Sequence, residues 1–344
     1  MKKIMFYFEG IYNGGTEIAA CNLLSKLSSQ DFKIYLAYSD LINSDQVMVN
    51  RLLEYSEIHN INEKIDVDVI VYATDALKDF DIIQKNISYK KSYFWFHYFW
   101  ETQERFIYKI ITENKIDKII VVSEMCKRKI AEMDCMRGNE DKIVVIHNIL
   151  DIEKIRNKAN EETPILNKST NLNIVTIARF APIKGYERVV KLVELLKKNR
   201  IDFKWFIIGK ANEYEKEYGE KIYNLLGKYK EVEILGHQDN PFKFLKQCDY
   251  TAVLSERETW SLVISESKIL GIPCIATNFE SVYEQIEHLK NGIIIDKDDD
   301  SKYLENVHQI IQNKEVLKNN LKDFVYNNED IINKWKELLE YAKN

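Results

Sequence analysis

Short apolar runs alternate with longer amphipathic stretches along almost the whole chain, and they do so in two successive series. Such a rhythm marks βαβ units and parallel sheets. A strand covered by helices on both faces is apolar throughout, whereas its crossover helix is apolar on one stripe only. In the first series the runs at 4–8, 34–37, 69–72, 92–96, 119–122 and 143–146 read as strands. A helix is expected over 16–27, where Ile18, Leu23, Leu24 and Leu27 recur at helical spacing. The segment 151–173 is polar, contains Pro164 and loses periodicity, which predicts a linker. The rhythm then restarts with strands at 174–178, 203–208, 232–235, 250–254, 273–276 and 292–295, and helices over 186–198, 215–228 and 260–270.

These elements predict an α/β protein of two Rossmann-like, doubly wound domains. One spans 1–155 and the other 170–327. A last helix over 328–344, with Ile331, Ile332, Trp335, Leu338 and Leu339 on one face, is expected to cross back to the first domain. A length of 344 residues suits two domains of ordinary size. Two open sheets imply a central cleft facing the carboxyl ends of the strands, where a ligand should sit.

The balance of charge narrows the function. A net charge of −5 with scattered basic residues argues against a nucleic-acid partner. The apolar run that follows Met1-Lys2-Lys3 stops at Glu9, short of the roughly 7–15 residues of a signal-peptide core. No stretch approaches the ~20 apolar residues of a membrane span. Five cysteines, odd in number and without CxxC spacing, suit free thiols in a reducing cytoplasm.

Three constellations carry chemistry. In the first, Glu258-Thr-Trp-Ser-Leu-Val-Ile-Ser-Glu266 joins a strand end, a loop and a helix start, and Gly271-Ile-Pro273 follows. The helix start offers unpaired N–H groups and a positive dipole end to a diphosphate, and both carboxylates could accept from vicinal hydroxyls. In the second, Arg179 follows an apolar strand and Lys184-Gly185 opens the next helix. A guanidinium fork and an ammonium there can grip two phosphates and neutralise a departing diphosphate. The third is Gly14-Gly15-Thr16-Glu17 after the first strand. It reads either as a plain turn or as a place where the backbone approaches a phosphate or sugar. The absence of GxGxxG disfavours a nicotinamide cofactor.

Taken in order, these motifs resemble the large retaining GT-B glycosyltransferases of family 4, the glycosyl transferases group 1. The matching residues are Gly14-Gly15-Thr16-Glu17, His97, Ser123, Asn148, Arg179, Lys184-Gly185, and Glu258 with Glu266, which cover nearly the whole chain. The resemblance implies that Arg179 and Lys184 stabilise the leaving diphosphate. It implies that Glu258 holds hydroxyls of the donor sugar, Glu266 those of the ribose, and the amides of Trp260, Ser261 and Leu262 the phosphate and sugar. Gly15 would let acceptor and diphosphate approach, and His97 would meet the sugar's 6-position. The family usually has glycines where Thr259 and Ser261 stand, and a glycine where Ile149 follows Asn148.

The expected activity is therefore transfer of a hexose or N-acetylhexosamine, with retention, from a UDP-sugar to a saccharide or glycolipid acceptor in cell-surface polysaccharide or glycoconjugate synthesis. The alternatives are a catalytically silent GT-B partner subunit that binds acceptor and a UDP-sugar epimerase of GT-B fold. No metal and no cofactor beyond the donor are expected. Asp298-Asp299-Asp300 follows an Asn-Gly turn and a strand and reads as a solvated loop. In the aromatic run from Tyr93 to Trp100, part must be core strand. Tyr98 and Trp100, with Gly14, are candidate acceptor contacts. His237 falls where the family's nucleobase pocket lies, and a surface histidine suits it equally. Lys90-Lys91 and Lys127-Arg128-Lys129 could rest on an anionic inner membrane surface.

Overall fold

A computed structural model of the chain describes residues 1–12, 14–27, 31–74, 79–97, 104–113, 115–162, 166, 168–169 and 171–340. It divides into two units, Met1–Leu150 with Asn327–Asn344, and Asp151–Tyr326.

Unit 1 carries β1 (Lys2–Phe8), β2 (Phe32–Tyr38), β3 (Glu57–Ile58), β4 (Ile65–Tyr72), β5 (Ile87–Phe96), β6 (Lys118–Val121) and β7 (Ile143–Val145). They form one sheet of seven strands in the order β3-β2-β1-β4-β5-β6-β7. Every pairing in it is parallel. Ile4 to Phe8 are all buried, as expected of a central strand with both faces covered. The short edge strand β3 is exposed and has no apolar run to announce it.

The helix Asn328–Glu340 belongs to this unit. Trp335 fills the sheet face, its ring 4.9 Å from Trp95 and 6.4 Å from Phe6. Tyr93 donates its hydroxyl to the Leu338 carbonyl at 3.0 Å. Lys2 donates its ammonium to the carbonyls of Leu339 and Glu340 at 2.9 and 2.7 Å, a cation at the negative end of the helix. At the other end, Asn328 binds Leu150 reciprocally. Its Oδ1 accepts from the Leu150 N–H at 3.1 Å, and its Nδ2 donates to the Leu150 carbonyl at 2.6 Å.

Unit 2 carries β8 (Leu172–Ile177), β9 (Phe203–Ile208), β10 (Val232–Gly236), β11 (Tyr250–Val253), β12 (Cys274–Thr277) and β13 (Gly292–Ile295). Their order is β10-β9-β8-β11-β12-β13, again with every pairing parallel. Both sheets thus have Rossmann-like topology, and each reverses its strand order once, between β1 and β4 and between β8 and β11.

The segment expected to be a linker differs in part. A helix spans Ile152–Ala159, with Asp151 Oδ1 accepting from Lys154 N–H at 3.0 Å and with Ile155 and Ala159 buried. It belongs to unit 2, so the division falls at Leu150 rather than after residue 155. Two buried positions four apart were too few to stand out from the polar residues around them.

Candidate functional site

In unit 2 the loops after β8 and β11 leave adjacent strands at the point where strand order reverses. The loop after β8 stays close to β9 through Ala178 N–H to Ile208 O at 3.0 Å and Phe180 N–H to Lys210 O at 3.2 Å. It then makes a tight turn over Pro182–Lys184 and enters the helix Tyr186–Lys198 at Gly185. Gly185 has φ of 67°, and a Cβ there would stand 2.0 Å from the Leu254 carbonyl oxygen. Only glycine lets this turn lie against the end of β11. The Glu256 N–H then bonds the Ile183 carbonyl at 2.7 Å and ties the two loops together.

That tie brings Lys184 to Glu258. Lys184 Nζ lies 2.6 Å from Glu258 Oε1, which also accepts from Ser255 Oγ at 2.7 Å. The loop is held from below as well. Thr277 Oγ1 donates to the Ser255 carbonyl at 2.5 Å and Ser281 Oγ to the Glu258 carbonyl at 2.7 Å. Glu256 pairs with Lys297 and Arg188. The Lys297 ammonium holds the Glu256 carboxyl below its usual range, burial opposing and Arg188 adding to the effect. Arg179 is bonded differently: its Nε meets Glu215 Oε2 at 2.9 Å, and half of its side chain is exposed.

The helix Leu262–Ile269 begins directly after this loop, with Glu266 on its second turn. Burial pushes the Glu266 carboxyl up to about 7, and its carboxylate has no hydrogen-bonding or charged partner among the described residues. Ser261 is the residue that caps this helix, at φ −84° and ψ 110°. That region is open to any L-residue, so a side chain stands without strain where the family usually has glycine. The Ser261 N–H is engaged by Gln285 Oε1 at 2.9 Å. Of the three amides expected to face a ligand, this one is therefore already committed within the protein. Burial pushes the Tyr326 hydroxyl far above its usual range, with the nearby Trp260 and Ser265 side chains opposing the shift. His237 is exposed, with Nε2 at 3.4 Å from Asp239 Oδ1.

In unit 1 the Gly14 carbonyl accepts from the Ile18 N–H at 3.1 Å and starts the helix Gly15–Leu27, at whose first residue Gly15 is exposed. Glu17 is buried and folds back on the loop, Oε1 accepting from the Tyr12 N–H at 3.1 Å. Burial raises its carboxyl above the usual range. His97 follows directly on β5, its ring 4.3 Å from that of Trp95. His97 Nε2 is buried without a hydrogen-bond partner among the described residues, and burial lowers the imidazole to about 3. Ser123 caps the helix Glu124–Ala131, and Asn148 is buried. Tyr98 and Trp100 lie outside the described residues. In the acidic loop, Asp299 accepts from the Ser301 N–H at 3.0 Å and lies 3.1 Å from the Lys302 ammonium.

The sequence reading brought together Lys184, Glu258 and Glu266 but passed over the residues that hold them. Gln285, Ser281 and Arg188 act through bonds that join distant positions, so no local spacing pointed to them, whereas Ser255 lies only three residues before Glu258.

Comparison with known proteins gives this geometry its setting. Residues 157–330, half of the chain, match the pattern of the family described as Glycosyl transferases group 1. An uncharacterized glycosyltransferase of Methanocaldococcus jannaschii is 25% identical over 216 residues, 62% of this chain. The chain spans only 55% of that relative's length. An uncharacterized glycosyltransferase of Haemophilus influenzae is 22% identical over 377 residues, covering 98% of this chain and 100% of the relative. Among solved structures, Anabaena HepE in complex with UDP superposes with a TM-score of 0.73 at 16% identity, over 98% of this chain and 100% of that one. The fold is GT-B, and the chain belongs to the glycosyl transferases group 1 family.

Proposed function

We propose that the protein is a retaining glycosyltransferase that moves a hexose or N-acetylhexosamine from a UDP-sugar to a saccharide acceptor in cell-surface polysaccharide or glycoconjugate synthesis. The observation that carries the reading is the junction of the loops after β8 and β11. There the Lys184 ammonium meets Glu258 at 2.6 Å beside a helix start that carries the partly buried Glu266 carboxylate. A cation, two carboxylates and helix amides are the groups that a nucleoside diphosphate sugar requires. HepE, similar in fold, was solved with UDP bound.

In this reading Glu266 accepts from the ribose hydroxyls. Glu258 Oε1 already holds two donors, so Oε2 accepts from a hydroxyl of the donor sugar. The amides of Trp260 and Leu262 complete the donor contacts of unit 2. The family resemblance alone assigns His97 and Gly15 of unit 1 to the donor, and the sequence alone assigns Gly14, Tyr98 and Trp100 to the acceptor. His237 lies toward the base. As the bond from the anomeric carbon to the diphosphate breaks, the acceptor oxygen bonds that carbon on the same face. The acceptor's proton passes to the departing phosphate oxygen. Arg179 and Lys184 take up the charge that grows there, so no metal is needed. Arg179 must exchange Glu215 for phosphate to do so.

No helix among the described residues is long and apolar enough to cross a membrane. A lipid-linked acceptor would be met at the inner membrane surface through Lys127, Arg128 and Lys129. Lys90 and Lys91, which pair with Asp68 and Asp117 at 2.7 and 2.9 Å, would face the same surface.

The test is calorimetric titration of the purified protein with UDP, GDP and ADP, repeated on Glu266→Ala. UDP should bind preferentially, and the variant should lose that binding. Equal affinity in the variant, or no binding of any of the three, would refute the reading. Product formation only when acceptor is present separates a transferase from an epimerase.

A further inference from the structure

Gln285 ends the short helix Val282–Gln285 and is 5% exposed. Its amide group clasps Ser261 from both sides. Oε1 accepts from the Ser261 N–H at 2.9 Å, and Nε2 donates to the Ser261 carbonyl at 2.8 Å. Nε2 also meets Ser265 Oγ at 3.0 Å, one turn along the helix. Ser261 occupies the capping position of the helix Leu262–Ile269, yet its own hydroxyl makes no capping bond. The Ser261 carbonyl also accepts from the Ser265 N–H at 3.4 Å, so a side chain remote in sequence and the first, long helical bond together hold the orientation of this helix start.

That orientation has a direct consequence. A peptide unit is planar and trans, so its C=O and N–H point in opposite directions. Because the Ser261 carbonyl is turned to Gln285, the Leu262 N–H in the same peptide unit is turned away from it. Leu262 is the first helical residue, where the N–H has no acceptor within the helix. One turn further on stands Glu266, partly buried, whose carboxylate has no partner among the described residues.

We propose that Gln285 is a positioning residue for donor binding. It does not touch the donor, and by fixing the Ser261 peptide it aims the Leu262 amide at the diphosphate. The proposal rests on the nucleotide-sugar reading above. It also explains why the clasp is made by an amide. An amide side chain accepts from the Ser261 N–H through its oxygen and donates to the Ser261 carbonyl through its nitrogen at once; a carboxylate or a lysine serves one of the two.

Glutamine 285 can be tested by two substitutions. Gln285→Met keeps the length and removes both bonds. Gln285→Glu keeps the polarity and the acceptor but cannot donate to the Ser261 carbonyl. Binding of UDP and of uridine is followed by intrinsic tryptophan fluorescence, with thermal unfolding recorded in parallel. In both variants UDP affinity should fall about tenfold or more, as for one lost hydrogen bond to a charged group, with uridine affinity within about twofold of wild type. Should Gln285→Met not fold, Gln285→Glu carries the test. Equal losses for UDP and uridine would show that Gln285 merely packs, and unchanged UDP affinity would show that it does nothing for the diphosphate. Either overturns this inference while the donor reading stands. Failure of the wild type to bind UDP overturns both.

Discussion

Glu266 makes a prediction that separates stability from function. Burial raises its carboxyl from the ordinary 4.5 to about 7, with no opposing contribution from a charge or a hydrogen bond. Between those values the folded protein keeps a proton that the unfolded chain has lost, so stability falls as pH rises through that window. The gap is worth about 3 kcal/mol, at 1.36 kcal/mol for each tenfold change in proton affinity. Glu266→Gln abolishes this dependence. The variant should therefore be more stable than wild type by about 1 kcal/mol at pH 5 and about 3 kcal/mol at pH 7 and above. Urea unfolding of both proteins from pH 5 to 8 measures the difference, and the titration of every other group cancels in it. UDP binding should weaken in the same variant, because a neutral amide accepts less strongly from ribose hydroxyls than a carboxylate. A stability difference that stayed constant across this range would mean that the carboxyl ionises in the folded protein as it does in water.

Two further substitutions probe the scaffold. Gly185→Ala forces a left-handed residue and a 2.0 Å approach to the Leu254 carbonyl, and should cost roughly 2–5 kcal/mol. Thermal unfolding reports it, and an unshifted midpoint would contradict the close approach of the two loops. Trp335→Ala leaves a cavity against Phe6 and Trp95 and should cost about 3–5 kcal/mol in denaturant unfolding. A loss below about 1 kcal/mol would mean that the last helix is not part of the unit 1 core.

Much of the architecture was legible because parallel strands are apolar at consecutive positions. β9 and β13 fall where the sequence put them, at Phe203–Ile208 and Gly292–Ile295. What escaped was what had no such run. β3 is two exposed residues at a sheet edge, and the helix Ile152–Ala159 shows only a brief apolar stripe. The site divided in the same way. Arg179, Lys184, Glu258 and Glu266 stand at strand ends and helix starts, which sequence can locate. Their pairings are decided in space. Nothing near Arg179 in the chain announces Glu215, and nothing near Ser261 announces Gln285. Glu17 belonged to a recognisable motif, but its part as a buried brace for the Tyr12 amide needed coordinates.

The clasp between Asn328 and Leu150 bears on how the protein is made. Unit 1 is interrupted after Leu150, and resumes only at Asn327. On the ribosome its first 150 residues emerge early, yet the tryptophan that covers Phe6 and Trp95 is residue 335. The usual vectorial order, with the amino-terminal unit finished first, is thereby inverted. The unit begun second has all its strands available before the unit begun first can close its core. Until Trp335 is added, Phe6 and Trp95 lack the ring that covers them in the folded unit.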